Sequence, residues 1–297
     1  MSGTQPLQTV GFIGLGAMGY PMAKQLAAAG HSLRVVDANP STAQRFADEC
    51  AAVVEATPAG AARSGVVITM LPSSAEVETV ILGSPDRPGV LAGLAPGGLV
   101  IDMSSSDPMR TRELARAVQA AGSMMVDAPV SGSVRRARDG SLAIMFGGAV
   151  DELERCRPVL SRMGSAIFHV GQVGAGHAMK ALNNYVSAAG LVAAVEALRV
   201  GERFGIDPRV MTEVLNASTG RNNTTENKIS QFMLSGTYAS GFLLRLMAKD
   251  VGIAVALADA LGVDAPLGHT CSDLWNGAAR ECDPAADHTE MYRLGRR

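Results

Sequence analysis

The sequence is poor in the residues that mark several protein classes. Aromatics make up 4% of its 297 residues and charged residues 18%, and the formal net charge is −2 with lysines and arginines scattered along the chain. A nucleic-acid binder carries a basic patch or stripe, so this balance excludes that class and points to small molecules or other subunits as partners. The four cysteines, Cys50, Cys156, Cys271 and Cys282, form no C-x-x-C pair, and the five histidines show no ligand spacing. Disulfide frameworks and zinc sites both need close, paired spacings; reduced thiols, a cytoplasmic location and no metal are therefore expected. The opening "MSGTQPLQTVGFIG" lacks the charged segment and apolar run of a signal peptide. The most apolar stretch, Ala181 to Val195, falls short of the ~20 residues of a membrane span and contains Asn183 and Asn184, so no membrane partner is expected.

What the chain does have is apolar mass, 47% of its residues, enough to bury a substantial core. Up to about Gly171 short β-branched runs ("TVGFIG", "SLRVVD", "GVVITML", "GLVIDMS", "SMMVDAPV", "LAIMFGG", "AIFHVG") alternate with helical segments such as Ala17 to Ala29, Ser41 to Cys50 and Ala75 to Leu82. That rhythm predicts βαβ units around a parallel-rich sheet, because strands buried on both faces read as continuous apolar runs. Beyond the glycine-rich "GQVGAG" the period becomes helical over Gly176 to Phe204, Pro208 to Ala217, Thr225 to Leu234 and Leu243 to Leu261. The prediction is an α/β domain over 1–172 followed by an all-α domain over 173–297.

"GFIGLGAMGYPMA" sets Gly14, Gly16 and Gly19 as G-x-G-x-x-G directly after the first strand and at the start of a helix. The three glycines serve a tight turn, close approach of a pyrophosphate, and close packing of helix on strand, with Leu15, Ala17 and Met18 completing the loop. The helix N-terminus then offers free N–H groups and a positive dipole end to phosphate. Asp37 closes the second strand ~20 residues on, where a carboxylate can accept hydrogen bonds from a ribose. Since that charge repels a 2′-phosphate, NAD is expected in preference to NADP.

Taken with three further segments, this turn resembles the β-hydroxyacid dehydrogenase family, which includes 3-hydroxyisobutyrate dehydrogenases and tartronate semialdehyde reductases. The other segments are "DAPVSGSVRRARDGSLAIMFGG", "GAGHAMKALNN" and "LMAKD", and together they span the chain nearly end to end. The resemblance implies a Rossmann-type domain, a long interdomain helix leading into a helical domain used for dimerisation, and reversible oxidation of a 3-hydroxy acid to its semialdehyde. It further implies that Ser131, Gly132 and Ser133 hold the substrate carboxylate, that Lys180 is catalytic with Asn184 fixing the substrate, and that Lys249 and Asp250 close over the cofactor. Met70, Leu71 and Pro72 resemble the turn that lines the cofactor, and Ser105 stands near the nicotinamide where many members have threonine. Two features set this chain apart: Ser133 replaces the glycine most common in the family, and "STGRNNTTENK", Ser218 to Lys228, lies where members vary with substrate.

The residues support the chemistry on their own terms. On a helix Lys180 and Asn184 are four apart and share a face, with Asn183 beside them, so an amine and a carboxamide are presented together. Oxidising an alcohol requires removal of the hydroxyl proton and the reverse reaction requires its return, and one lysine can do both. A serine followed by glycine lets backbone N–H groups converge on a carboxylate. Arg135, Arg136 and Arg138 read as a solvated face, and His169, His177 and Glu196 as structural. Two other readings compete with the dehydrogenase: a non-catalytic dinucleotide-binding scaffold, and an imine reductase on the same fold. Lys180 and Asn184 argue against the first, and the resemblance sets Lys180 against the second, since imine-reducing relatives generally lack lysine at this position. The resemblance implies a homo-oligomer, and helical faces rich in alanine and leucine suit a homodimer or a homotetramer alike.

Overall fold

The computed structural model describes residues 8–294. The chain divides into two compact units, the first ending at Lys180 and the second beginning at Ala181.

In the first unit the apolar runs become strands and the segments between them helices. In order these are β1 (Thr9–Ile13), α1 (Gly19–Ala28), β2 (Ser32–Val36), α2 (Pro40–Cys50), β3 (Val53–Val54), α3 (Pro58–Ala62), β4 (Val66–Thr69) and α4 (Ser74–Leu82). A small hairpin of β5 (Gly83–Ser84) and β6 (Arg87–Pro88) precedes α5 (Val90–Gly93), β7 (Leu99–Asp102), α6 (Pro108–Ala120) and β8 (Met124–Asp127). Then come β9 (Val130–Ser131), α7 (Ser133–Arg138), β10 (Leu142–Gly147), α8 (Val150–Met163) and β11 (Gly164–Gly171).

The strands β3-β2-β1-β4-β7-β8 run parallel in that spatial order, the arrangement of dinucleotide-binding sheets, with the chain reversing direction across the sheet beside β1. Alternate side chains feed opposite faces: Ile68 and Ile101 enter one core, while Val67 and Val100 enter another. This is why these strands are apolar throughout. Helix starts follow local chemistry; Asn39 and Asp107 accept N–H bonds from the first turns of α2 and α6, each with proline at its first position.

Two details depart from the sequence expectation. "SMMVDAPV" is not one strand but two, β8 and β9, parted at Ala128 and Pro129, where proline has no N–H to continue a ladder. The sheet also stops being parallel there: β10 meets β8 antiparallel through Gly147 and Asp127, and β11 then runs parallel to β10.

The helix α9 (Ala175–Phe204) leads into the second unit, which adds α10 (Pro208–Ala217), α11 (Asn223–Asn227), a π-helical turn at Ile229–Met233, α12 (Leu244–Ala260), α13 (Pro266–Glu281) and a 3-10 turn at His288–Tyr292. Its core joins Leu191, Val195 and Leu198 of α9 to Met247, Val251, Trp275 and Tyr292. At 30 residues α9 is long and apolar enough to cross a membrane by length and composition alone; Ala188, Leu191, Ala194, Val195 and Leu198 pack into this core, while Leu182, Val186, Val200 and Phe204 are exposed. The periodicity that predicts one helix over Thr225 to Leu234 is interrupted at Lys228 (φ −126°, ψ −41°), which separates α11 from the π-helical turn.

Candidate active site

The glycine turn is built by close contacts. A Cβ on Gly14 (φ 99°) would lie 2.3 Å from the Met70 carbonyl oxygen, and one on Gly19 would lie 1.9 Å from the Gly14 carbonyl oxygen. The turn and the start of α1 thus pack where no side chain fits. Gly16 differs: a Cβ there meets nothing within 4 Å, so this glycine opens a space, with Gly16 and Ala17 exposed at its edge. No side chain caps the first turn of α1 and no acidic residue stands in it, which leaves its positive end available to an anion. A depression of about 600 Å³ beside Gly16 and Ala17 carries Arg45 and Arg138 on its wall. Open space, a bare helix start and nearby cations fit the diphosphate of a dinucleotide.

Of the other residues expected at the cofactor, Asp37, Met70 and Leu71 lie against this turn. Asp37 accepts from the Leu15 N–H at 2.6 Å and the Asn39 N–H at 2.7 Å, so its carboxylate is held against the loop at the end of β2. Met70 donates its N–H to the Ile13 carbonyl, and the Leu71 N–H is held by the Ser104 hydroxyl; Pro72 follows, exposed. Ser105 is partly buried between Ser104 and Ser106, both of which bond to Asp102.

Asp102 and Asp127 are what sequence reasoning missed; His177, read as structural, lies with them. Asp102 and Asp127 end β7 and β8 and are fully buried. Asp102 accepts from the Thr69 and Ser106 hydroxyls and the Ser104 N–H, which ties together the loops leaving β4 and β7. Asp127 accepts from the N–H of Gly174 at 2.6 Å and of His177 at 2.7 Å, a carboxylate capping α9 from a distant strand. Burial pushes the Asp127 carboxyl up, opposed by His177 and by these two N–H bonds. His177 lies between the two carboxylates, with Nε2 3.6 Å from Asp102 and Nδ1 3.7 Å from Asp127. The Thr111 hydroxyl donates to the Asp107 carbonyl, so at the 2.9 Å contact with Thr111 it is the His177 Nδ1 that donates. The available signal was an aspartate closing an otherwise apolar strand in "LVIDMS" and "MMVDAP".

One turn past this anchor stands Lys180, 8% exposed, with Asn184 at 6% on the same stripe of α9. The Asn184 Nδ2 donates to Asp250 at 2.6 Å, and its Oδ1 accepts from Asn183 at 3.1 Å. Its orientation is fixed by both partners, and one Nδ2 hydrogen remains for a ligand. Lys249 contacts the other Asp250 oxygen at 3.7 Å. The second unit therefore brings Asn183, Asn184, Lys249 and Asp250 together, with the Asp250 carboxylate bonded to the Asn184 carboxamide.

Ser131 ends β9, Gly132 (φ 138°) forms the bend, and Ser133 opens α7 with φ 62°, the left-handed region that favours glycine. Ser131 and Gly132 are partly buried and Ser133 is exposed, as are Arg135, Arg136 and Arg138 along α7. Of the remaining histidine and glutamate candidates, His169 bonds the Gly148 carbonyl and Glu196 is exposed. Among the described residues no group of three His, Cys, Asp or Glu side chains could hold a metal ion.

Fold and glycine turn together define a dinucleotide-binding protein whose parallel sheet is followed by a helical unit. The pattern for the NAD binding domain of 6-phosphogluconate dehydrogenase matches residues 9–171, and that for the NAD-binding region of NADP-dependent 3-hydroxyisobutyrate dehydrogenase matches residues 174–295. The chain is 38% identical over 273 residues to 3-hydroxyisobutyrate dehydrogenase of Pseudomonas aeruginosa, covering 90% of this chain and 91% of the relative. It is 36% identical over 268 residues to 2-(hydroxymethyl)glutarate dehydrogenase of Eubacterium barkeri, covering 90% and 88%. A solved structure of Mycobacterium tuberculosis 3-hydroxyisobutyrate dehydrogenase with L-serine superposes with a TM-score of 0.90 at 33% identity, covering 98% of this chain and 100% of that one. The chain belongs to the β-hydroxyacid dehydrogenase family, and it is an oxidoreductase.

Proposed function

We propose that the protein catalyses the reversible oxidation of a small 3-hydroxy acid to its semialdehyde with NAD, and that Lys180 is the general acid and base. The observation that carries this reading is the buried Lys180 and Asn184 pair on one stripe of α9, with the carboxamide locked by Asp250 and Asn183. The relatives' names support the substrate class: 3-hydroxyisobutyrate, 2-(hydroxymethyl)glutarate and L-serine all carry a hydroxyl on the carbon next to the one bearing the carboxylate. Residues 1–172 are assigned to the dinucleotide and 173–297 to substrate and self-association.

Gly14, Gly16, Gly19 and the start of α1 would hold the diphosphate, Asp37 a ribose, and Met70, Leu71, Pro72, Ser105 and Lys249 the rest of the cofactor. When bound, the nicotinamide supplies the two-electron acceptor. The chain's own residues then have three tasks. Backbone N–H groups at Ser131, Gly132 and Ser133 receive the substrate carboxylate. The free Nδ2 hydrogen of Asn184 orients the substrate. The neutral amine of Lys180 takes the hydroxyl proton during oxidation, and its ammonium returns that proton to the developing alkoxide during reduction.

The test is a panel of 3-hydroxy acids and their semialdehydes assayed in both directions with NAD(H) and NADP(H). Turnover of a 3-hydroxy acid is expected, with higher kcat/KM for NAD; a protein that binds dinucleotide and turns over no member is a scaffold. Asp37 favours NAD, whereas Arg45 beside the same turn is the group that would attract a 2′-phosphate, so equal kcat/KM with both cofactors overturns the preference. Lys180→Ala is expected to lower kcat by about 10²- to 10⁴-fold with cofactor binding retained. Turnover near the wild-type rate would remove Lys180 from the chemistry.

A further inference from the structure

The segment Ser218 to Lys228 has no part in the mechanism above, yet it is tightly built. Asn222 accepts from the N–H groups of Thr224 and Thr225, the Thr225 hydroxyl accepts from the Asn222 N–H, and the Thr225 carbonyl accepts from Asn216. Arg221 pairs with Glu226 at 2.6 Å. These bonds fix the short helix α11 and, at its end, the break in which Lys228 stands.

The Lys228 Nζ reaches the Ser187 hydroxyl on α9 at 3.5 Å. Ser187 is three residues past Asn184 and seven past Lys180; at about 100° per residue all three share one stripe, and the seven residues span about 10 Å along the axis. An ammonium withdrawn from water needs an opposite charge. Among the described residues Lys228 forms no ion pair; the nearest acidic influence on it is Asp287. That carboxylate is already occupied by five local donors: the Ser240 and Thr289 hydroxyls and the N–H groups of Gly241, Phe242 and Thr289. Lys228 is therefore a partly buried cation whose neighbouring anion is committed elsewhere.

We propose that Lys228 is a specificity residue: its ammonium receives a second carboxylate, carried on the substituent at C2 of the 3-hydroxy acid, beside Ser187 on the stripe that bears Lys180 and Asn184. The inference rests on the dehydrogenase reading and deepens it by naming the substrate class as dicarboxylic 3-hydroxy acids. Burial brings the Lys228 amine down to about 8, while Asp287 acts to raise it. The other groups facing it keep their charge state as pH rises from neutral. Asp287 stays ionised because the bonds from His288, Thr289 and Ser240 outweigh the upward effect of burial, and burial keeps His288 neutral.

The experiment compares kcat/KM for 2-(hydroxymethyl)glutarate with that for its distal carboxamide, a neutral isostere, with 3-hydroxyisobutyrate assayed alongside. At pH 7 the wild-type enzyme is expected to favour the dicarboxylate over the carboxamide by about 10- to 100-fold, the range of a charge-assisted hydrogen bond. Lys228→Met should bring that ratio close to one, and Lys228→Arg should keep most of it. With the wild-type enzyme alone the ratio should fall as pH rises through about 8, which preserves the test if a variant fails to fold. Oxidation of 3-hydroxyisobutyrate with a wild-type ratio near one, or a ratio unchanged in Lys228→Met, overturns the assignment and leaves the dehydrogenase reading standing. Failure to oxidise any of the three compounds overturns the dehydrogenase reading, and the role of Lys228 with it.

Discussion

Ser133 shows at single-residue scale how a backbone constraint and a proposed binding role meet. Its φ of 62° costs an L-residue on the order of 1–2 kcal/mol, and glycine is free of that cost. Removing the side chain also loosens the unfolded chain, by about 0.5–1 kcal/mol, so the two effects of Ser133→Gly nearly cancel. Its melting temperature is expected to equal or slightly exceed the wild type, whereas Ser133→Val, β-branched in the left-handed region, should melt several degrees lower. Equal melting temperatures for the glycine and valine variants would show that the position is unconstrained. Lys180 and Asn184 were legible at this scale because helix periodicity alone puts residues four apart on one face. Asp127 and His177 were not legible as a pair, since fifty residues separate them and no local pattern encodes their meeting.

At the scale of elements the glycine turn and the start of α9 are two solutions to placing a helix N-terminus. In the turn, glycines remove side chains so that α1 can pack directly on the loop leaving β1. Gly19→Ala would drive a Cβ against the Gly14 carbonyl, and backbone cannot move aside as a flexible side chain can. Dinucleotide affinity is expected to fall at least about 10-fold, 1.4 kcal/mol, with a lower melting temperature; unchanged affinity by titration would show that the loop does not need this packing. At α9 a carboxylate from β8 takes the place of a local cap, and Gly176 lets the helix start approach it, since a Cβ there would lie 2.7 Å from the Asp127 Oδ2. The sequence announced the glycine turn through its spacing, but showed the α9 anchor only as "GAG" and an unexplained aspartate.

Across the whole molecule, long-range polar anchors decide what stays in place. In the second unit Asp287 gathers the 240–242 segment and Thr289 through its five donors; although burial acts to raise its carboxyl, His288, Thr289 and Ser240 hold it far below the ordinary carboxylate value. A group depressed on folding stabilises fully above its unfolded value, about 3.9, and that contribution is lost as pH falls through the folded value. Asp287→Asn is expected to cost about 2 kcal/mol at pH 7, and its deficit in melting temperature should shrink as pH drops below about 4. A deficit that is constant with pH would mean that the charge is immaterial. The alternation of strands and helices, the change to helical period near Gly171, the glycine turn and the Lys180 and Asn184 pair were all written in the sequence, because each depends on local periodicity or on what a side chain's absence permits. The antiparallel entry of β10, the break at Lys228, the carboxylate cap on α9 and the Lys228 contact with Ser187 were decided only by tertiary structure. Each depends on groups distant in sequence satisfying one another out of water, and a chain read in order carries no record of which distant groups will meet.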